Sequence, residues 1–118
     1  MEVFVTDTQT YRIKSSDAEV RLSVEVGDGQ VGGTSLLLDR TILGSGGAVN
    51  NVLIGTCKEL RFKTLRCTTR VHDVNVLTNK TSVTYEFTGG VEDKEFPYQV
   101  EVNEEGGYAT YSIAFIFV

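Results

Sequence analysis

Hydrophobic and polar residues alternate with a period of two along most of this chain, which is typical of strands that bury one of their two sides. Segments 20–26, 83–87 and 96–102 show the alternation most clearly. Their hydrophobic positions are Val20, Leu22, Val24, Val26, Val83, Tyr85, Phe87, Phe96, Tyr98, Val100 and Val102. We therefore predict a half-buried β-strand at each of the three places.

The end of the chain differs, because segment 108–118 is hydrophobic on both of its sides. One phase holds Tyr111, Ile113, Phe115 and Phe117, and the other holds Ala114, Ile116 and Val118. Such a segment is typical of a strand in the interior of a sheet or beneath another layer. Glycine-containing connections at 88–95 and 103–108 come before it. They predict that the final third is a three-stranded antiparallel meander.

Two other segments are less regular. Segment 34–47 is compatible with either a helix or a strand. Ser35 is suited to begin a helix and Gly44 to end one. Its β-branched residues Thr34, Thr41 and Ile42 favour a strand. In segment 56–76 the hydrophobic phase slips twice, which indicates bulges or short breaks within long edge-type strands.

Two further strands at 2–6 and 10–14 bring the expected number to about eight or nine. Turn signals separate them, and no repeat or linker divides the 118 residues. We therefore predict a single all-β domain over residues 1–118, folded as an antiparallel β-sandwich of Greek-key or meander type. A partly open barrel is the alternative.

The net charge of −5 restricts the classes of possible partner. It argues against electrostatic capture of nucleic acid or of an anionic membrane by the whole molecule. The chain shows no secretory signal and no hydrophobic run of the roughly 18 residues that a membrane helix requires. We expect a soluble, cytoplasmic protein with no nucleic-acid or membrane partner.

A glycine motif raises the question of a nucleotide site. Gly27, Gly29 and Gly32 have the G-x-G-x-x-G spacing, but that motif functions between a strand and a helix whose amide groups face the phosphate. No helix is predicted after it. Asp28 and Gly29 instead suit a type I′ turn, so we predict a hairpin here and no cofactor. The second glycine cluster, at 44–51, lacks the Lys-Ser/Thr of a phosphate loop.

Cys57, Cys67, His72 and Asp73 are the candidates for catalysis or metal binding. The spacing favours free, partly buried thiols over a disulfide, and neither a C-x-x-C nor a histidine pair suggests zinc. A Cys-His-Asp set requires the thiol and the imidazole to meet, whereas residues 67 and 72 of one continuous strand point to opposite sides. We predict no catalytic residue and no metal, and we keep an enzyme that uses Cys67 or His72 as an alternative.

Charge is segregated along the second half of the chain. The basic strip is Lys58, Arg61, Lys63, Arg66 and Arg70, and the acidic strip is Glu86, Glu92, Asp93, Glu95, Glu101, Glu104 and Glu105. We favour the interpretation that the strips are neighbours in one sheet and neutralise each other. The alternative is that they meet between molecules. Phe62 shares its phase with Leu60 and is predicted to point inward, so the basic strip offers no exposed aromatic residue to an oligonucleotide.

The absence of a predicted catalytic set, together with the charge segregation, favours a non-enzymatic binding or assembly module. It would contact a protein partner or copies of itself through the charged strips or through sheet edges. One alternative is a carrier for a small apolar molecule. The residues that would enclose such a ligand are Leu36, Leu38, Phe87, Phe96, Phe115 and Phe117.

Overall fold

Two β-sheets pack face to face in the computed structural model, which describes residues 2–118. The strands in that range are β1 Glu2–Tyr11, β2 Glu19–Val26, β3 Val31–Leu38, β4 Thr41–Gly47, β5 Val52–Thr56, β6 Thr64–His72, β7 Lys80–Thr88, β8 Lys94–Glu101 and β9 Tyr108–Phe117, with one short helix, α1, at Cys57–Leu60. This architecture confirms the predicted β-sandwich. It also confirms that segment 34–47 is extended, because it forms β3 and β4.

The strand order explains how the two ends of the chain meet. One sheet has five strands in the order β1-β9-β6-β3-β4, and the other has four in the order β5-β2-β7-β8. Pairing is antiparallel throughout except between β1 and β9, which run parallel over ten residue pairs. A parallel pair requires a long connection, and here nearly the whole chain lies between the two strands.

The turn at Asp28 and Gly29 forms as predicted, but it does not make a hairpin. Both residues have positive φ angles, 57° and 69°, and Gln30 N–H donates to the Gly27 carbonyl at 3.2 Å. However, β2 belongs to the four-stranded sheet and β3 to the five-stranded sheet. Local turn chemistry reverses the chain without deciding which sheet the next strand joins, so the hairpin prediction was wrong.

The predicted meander of the final third is also wrong. Strands β7 and β8 form a hairpin, but β9 crosses to the other sheet and lies between β1 and β6. This interior position agrees with the hydrophobic character of both its sides. Ala114, on the outer side, is only 9% exposed.

Segment 56–76 contains a helix and a central strand instead of long edge strands. Thr56 and Glu59 form a capping box that begins α1: the Thr56 hydroxyl accepts from Glu59 N–H, and the Glu59 carboxylate accepts from Thr56 N–H. The turn that follows breaks the alternation between Leu60 and Phe62. Leu60 is buried, whereas Phe62 has φ 67° and is 77% exposed, so the inward prediction for Phe62 was wrong.

Buried tyrosines connect the two sheets across the core. Tyr85 on β7 places its hydroxyl 2.7 Å from the Thr69 hydroxyl on β6. In the opposite direction, Tyr111 on β9 reaches the Thr81 hydroxyl on β7 at 2.6 Å. Thr69 also bonds Thr34 on β3 at 2.8 Å. Since an unbonded hydroxyl in the core is costly, these contacts favour one relative position of the sheets.

Two more tyrosines join the sheets along the margin where the edge strands β1 and β8 face each other. The Tyr11 hydroxyl donates to the Glu92 carbonyl at 2.8 Å and accepts from Gly90 N–H at 2.9 Å. The Tyr98 hydroxyl on β8 donates to the Asp7 carboxylate on β1 at 2.8 Å. The margin of the sandwich is thereby closed by side-chain hydrogen bonds.

Each of the four edge strands carries a feature that discourages pairing with another strand. Strand β8 contains Pro97, β5 has five residues, and β4 holds glycines and pairs with β3 through register shifts. On β1, the Asp7 carboxylate accepts from Thr8 N–H at 2.9 Å. The sheet edges are therefore poor surfaces for adding a strand.

We expect Tyr85→Phe to lower the free energy of unfolding by about 1–2 kcal/mol, because Thr69 loses a buried hydrogen-bond partner. Urea denaturation followed by circular dichroism measures the change. Tyr108→Phe is the matched control, since the Tyr108 ring lies on an outer surface and its hydroxyl forms no hydrogen bond with the residues described. Equal stability of the two variants would contradict the proposed role of the tyrosine contacts.

We expect Asp7→Val to cause association that increases with protein concentration and persists at high salt, because the charge that interrupts the β1 edge is lost. Sedimentation velocity measures this association. Gln9→Val, on the same side of β1, is the control for added hydrophobicity and should stay unassociated under the same conditions. Association of both variants to the same extent would show that Asp7 does not protect the edge.

Candidate protein interaction faces

Strand alternation decides which charged residues reach the surface of the five-stranded sheet. On β6, Leu65, Cys67, Thr69 and Val71 are buried, and the alternate residues Arg66, Thr68 and Arg70 point outward. Arg66 and Arg70 therefore project from the outer face of this sheet. Both residues lie on β6, the middle strand of the sheet.

The acidic strip lies on the other sheet. On β7 the buried residues are Val83, Tyr85 and Phe87, so Glu86 points outward from the four-stranded sheet, directly opposite Glu95 on β8. The chain has crossed between the sheets after β6. Arg66 and Arg70 thus lie on the outer face opposite to that of Glu86 and Glu95, and the interpretation that the two strips are neighbours in one sheet was wrong.

The remaining basic residues lie at one end of the five-stranded sheet. Lys63 and Arg66 line a concavity there together with Asp39 and Arg40, from the turn between β3 and β4. Lys58, on α1, pairs with Asp17 at 3.9 Å, and Arg61 follows that helix. We define the basic face as the outer face of the five-stranded sheet, with the cations Arg40, Lys63, Arg66 and Arg70.

Arg70 is held in place by its neighbours. Its guanidinium carbon lies 3.8 Å from the centre of the Tyr108 ring, and its Nε lies 3.4 Å from a Glu2 carboxylate oxygen. The His72 ring stacks on Tyr108 with centroids 4.5 Å apart. A hydrogen bond from Thr110 and the charge of Arg70 lower the pKa of Glu2, which keeps Glu2 ionised beside the arginine.

Arg66, in contrast, forms no ion pair with any residue in the described range 2–118. It borders a shallow concavity of about 330 Å³. Small outward side chains surround most of this concavity: Thr6, Thr8, Thr68, Ser112 and Ala114. Asp7 also lines it. The basic face therefore presents a cation without an ion-pair partner on a low surface that another protein can approach closely.

The four-stranded sheet carries the opposite arrangement. Glu25 on β2 joins Glu86 and Glu95 around a concavity of about 390 Å³, and none of the three forms an ion pair within the described chain. We define the acidic face as the outer face of this sheet, centred on these three residues. The hydrogen bond that Glu86 shares with Glu95, its burial and the surrounding negative charge raise the pKa of Glu86.

The other acidic residues of the strip surround this face. Glu92 and Asp93 lie in the connection between β7 and β8, and Glu101 is opposite Lys80 at the end of the β7–β8 pair. Glu104 and Glu105 lie in the connection before β9. The strip identified from the sequence is thus a central pair of glutamates with acidic loops at both ends of the hairpin.

The candidate catalytic residues do not come together. Cys67 points into the core and His72 points outward, which confirms the prediction that they lie on opposite sides. Both Cys57 and Cys67 are free, as predicted, and both are fully rather than partly buried. Burial raises the pKa of the Cys67 thiol. Asp73 is buried, and its carboxylate oxygens have no hydrogen-bond partner among the described residues. It does not orient His72.

The six residues expected to enclose an apolar ligand belong to the core or pack against it. Phe87 and Phe115 have ring centroids 4.8 Å apart, and Phe96 and Phe115 5.1 Å apart. Leu36 and Phe117 are fully buried in the same cluster, and Leu38 packs against it. Their side chains pack against one another as a core does.

Comparisons with protein families, with curated proteins and with solved structures found no match to this chain. Within residues 2–118, no helix has the length and hydrophobicity to cross a membrane. The same range contains no group of three or more His, Cys, Asp or Glu arranged to hold a metal ion. A functional proposal therefore depends on the two faces themselves.

We expect Glu95→Gln to make the protein more stable than wild type at neutral pH. The folded-state pKa of Glu86 lies above its ordinary value of 4.5, so the stability linked to its proton is present below that value and is lost as the pH rises through the raised pKa. The variant removes the neighbouring carboxylate that causes the shift. Melting temperatures between about pH 4 and pH 8 measure the effect.

Glu105→Gln is the control for this measurement, because it removes a carboxylate from a loop outside the acidic face. It should follow the wild-type curve. A stability curve of Glu95→Gln that falls with pH as steeply as the wild-type curve would contradict the coupling of the two glutamates.

Proposed function

We propose that this protein is a non-enzymatic module that binds protein surfaces through its two oppositely charged faces. The observation that carries the proposal is the placement of Arg66 on one outer face and of Glu25, Glu86 and Glu95 on the other. These residues have no ion-pair partner among the described residues. Complementary potentials direct the approach and orientation of protein partners, so each face is suited to a partner of the opposite sign.

The interrupted sheet edges favour binding through the outer faces over binding through an added strand. Pro97, the register shifts of β4 and the Asp7 contact with Thr8 interrupt the backbone groups that an added strand would use. The outer faces, by contrast, are broad and supported by a packed core. Of the two routes of association expected from the sequence, we favour the charged surfaces.

The candidate chemistry supports a non-enzymatic role. A thiol needs its thiolate form to act as a nucleophile, and the raised pKa of Cys67 opposes that form. His72 stacks on Tyr108 on the other side of the sheet, away from that thiol. The aromatic packing of Phe87 and Phe115 likewise favours a filled core over a carrier cavity.

We expect decaglutamate to bind the basic face and decalysine to bind the acidic face. In two-dimensional amide NMR, the first peptide should shift signals around Arg66 and Thr68, and the second should shift signals around Glu25, Glu86 and Glu95. Both sets of shifts should disappear near 1 M salt, where the screening length falls to about 3 Å. Shifts scattered over all charged loops, or no shifts at low salt, would contradict the proposal.

Matched variants make the peptide experiment specific. Arg66→Ser should weaken decaglutamate binding and leave decalysine binding unchanged. Lys14→Ser removes the same charge from an exposed position outside the basic face and should leave both unchanged. Equal loss of decaglutamate binding in the two variants would show that net charge, and not the basic face, determines the interaction.

A further inference from the structure

We infer that the partner is a second copy of this chain, stacked so that the basic face of one copy covers the acidic face of the next. This inference rests on the proposed function and names its partner. It follows from the fact that a single sandwich presents both members of a complementary pair on opposite sides. Each copy can therefore give one contact and receive the other at the same time.

The two charged groups also lie at comparable positions across their sheets. Arg66 is on the central strand β6, and Glu86 is on β7, an inner strand of the four-stranded sheet. Glu86 lies directly opposite Glu95 in the β7–β8 pair, and this neighbouring carboxylate raises the pKa of Glu86. A guanidinium group from another copy would neutralise their repulsion and let both carboxylates ionise. Association should accordingly release protons and strengthen as Glu86 loses its proton.

The faces are also large enough, and low enough in relief, to form an interface between two copies. The longest dimensions of the molecule are 46 and 25 Å, and a standard interface requires roughly 800 Å² from each partner. The small side chains around Arg66, including Thr68, Ser112 and Ala114, allow close approach of another sheet. The concavities beside Arg66 and between the three glutamates give each face a recess for side chains of the other.

The arrangement has a defined symmetry. Because the two contacting surfaces are different, the interface is heterologous, and such interfaces build rings when they close and filaments when they do not. Every copy inside the stack uses both faces, while the end copies leave one face open. A variant with one disabled face should therefore be unable to extend the stack, while its other face can still bind one copy.

The test uses two variants that each keep one working face. Arg66→Gln disables the basic face, and the double variant Glu25→Gln/Glu86→Gln disables the acidic face. Each variant alone should have the monomer mass of 13.0 kDa in light scattering behind a sizing column at low salt. Mixed in equal amounts, they should form a complex of twice that mass and no larger species, because their two intact faces pair once and the disabled faces end the stack.

A control pair separates the specific contact from net charge. Lys14→Gln and the double variant Glu92→Gln/Glu105→Gln remove the same numbers of charges at positions outside the two faces. These control variants should each assemble as the wild type does. Circular dichroism establishes that all variants are folded, and the variants Arg66→Ser and Glu25→Ser/Glu86→Ser replace any that are not.

Two results would overturn the inference. The first is a disabled variant that still assembles by itself as far as the wild type does. The second is a mixture that contains only monomers. If the mixture stays monomeric while the peptides still bind their respective faces, the second copy is the wrong partner and the proposed binding function stands. Failure of the peptides to bind would instead remove the proposed function itself.

Discussion

The hydrogen bonds of four tyrosine hydroxyls across the sandwich are the constraint on which the rest of the structure depends. Tyr85 and Tyr111 cross the core in opposite directions to Thr69 and Thr81, while Tyr11 and Tyr98 close the side between the sheets. A tyrosine can be buried only if its hydroxyl has a partner. Because each partner belongs to the opposite sheet or its connections, a shift of one sheet over the other would break several of these bonds together.

The fixed core in turn determines the two outer surfaces. Once Tyr85 points inward on β7, Glu86 must point outward, and the same alternation on β6 turns Arg66 away from Cys67. The crossing of the chain between β6 and β7 places these outward residues on opposite sides. Separation of charge is thus a consequence of strand phase and topology. It gives a protein of net charge −5 a locally basic surface, to which an acidic partner can bind.

Strand phase could be predicted from sequence, whereas strand partners could not. The alternation at 20–26, 83–87 and 96–102 was confirmed, and so was the separation of Cys67 from His72, because both depend on adjacent residues. The hairpin at Asp28 and the meander were wrong, because choice of sheet depends on distant contacts. The Thr56–Glu59 capping box was a local signal for α1 that the sequence analysis missed. Arg40 is distant in sequence from the basic strip, and only the fold brings it beside Lys63 and Arg66.

The molar mass of the wild-type chain in solution, measured by light scattering at low salt and again near 1 M salt, tests the charged contact most directly. We expect a multimer at low salt that dissociates to the 13.0 kDa monomer as salt rises, since the contact depends on charges at the surface. A monomer at both salts over a wide range of protein concentration, or a multimer that is insensitive to salt, would contradict association through the charged faces.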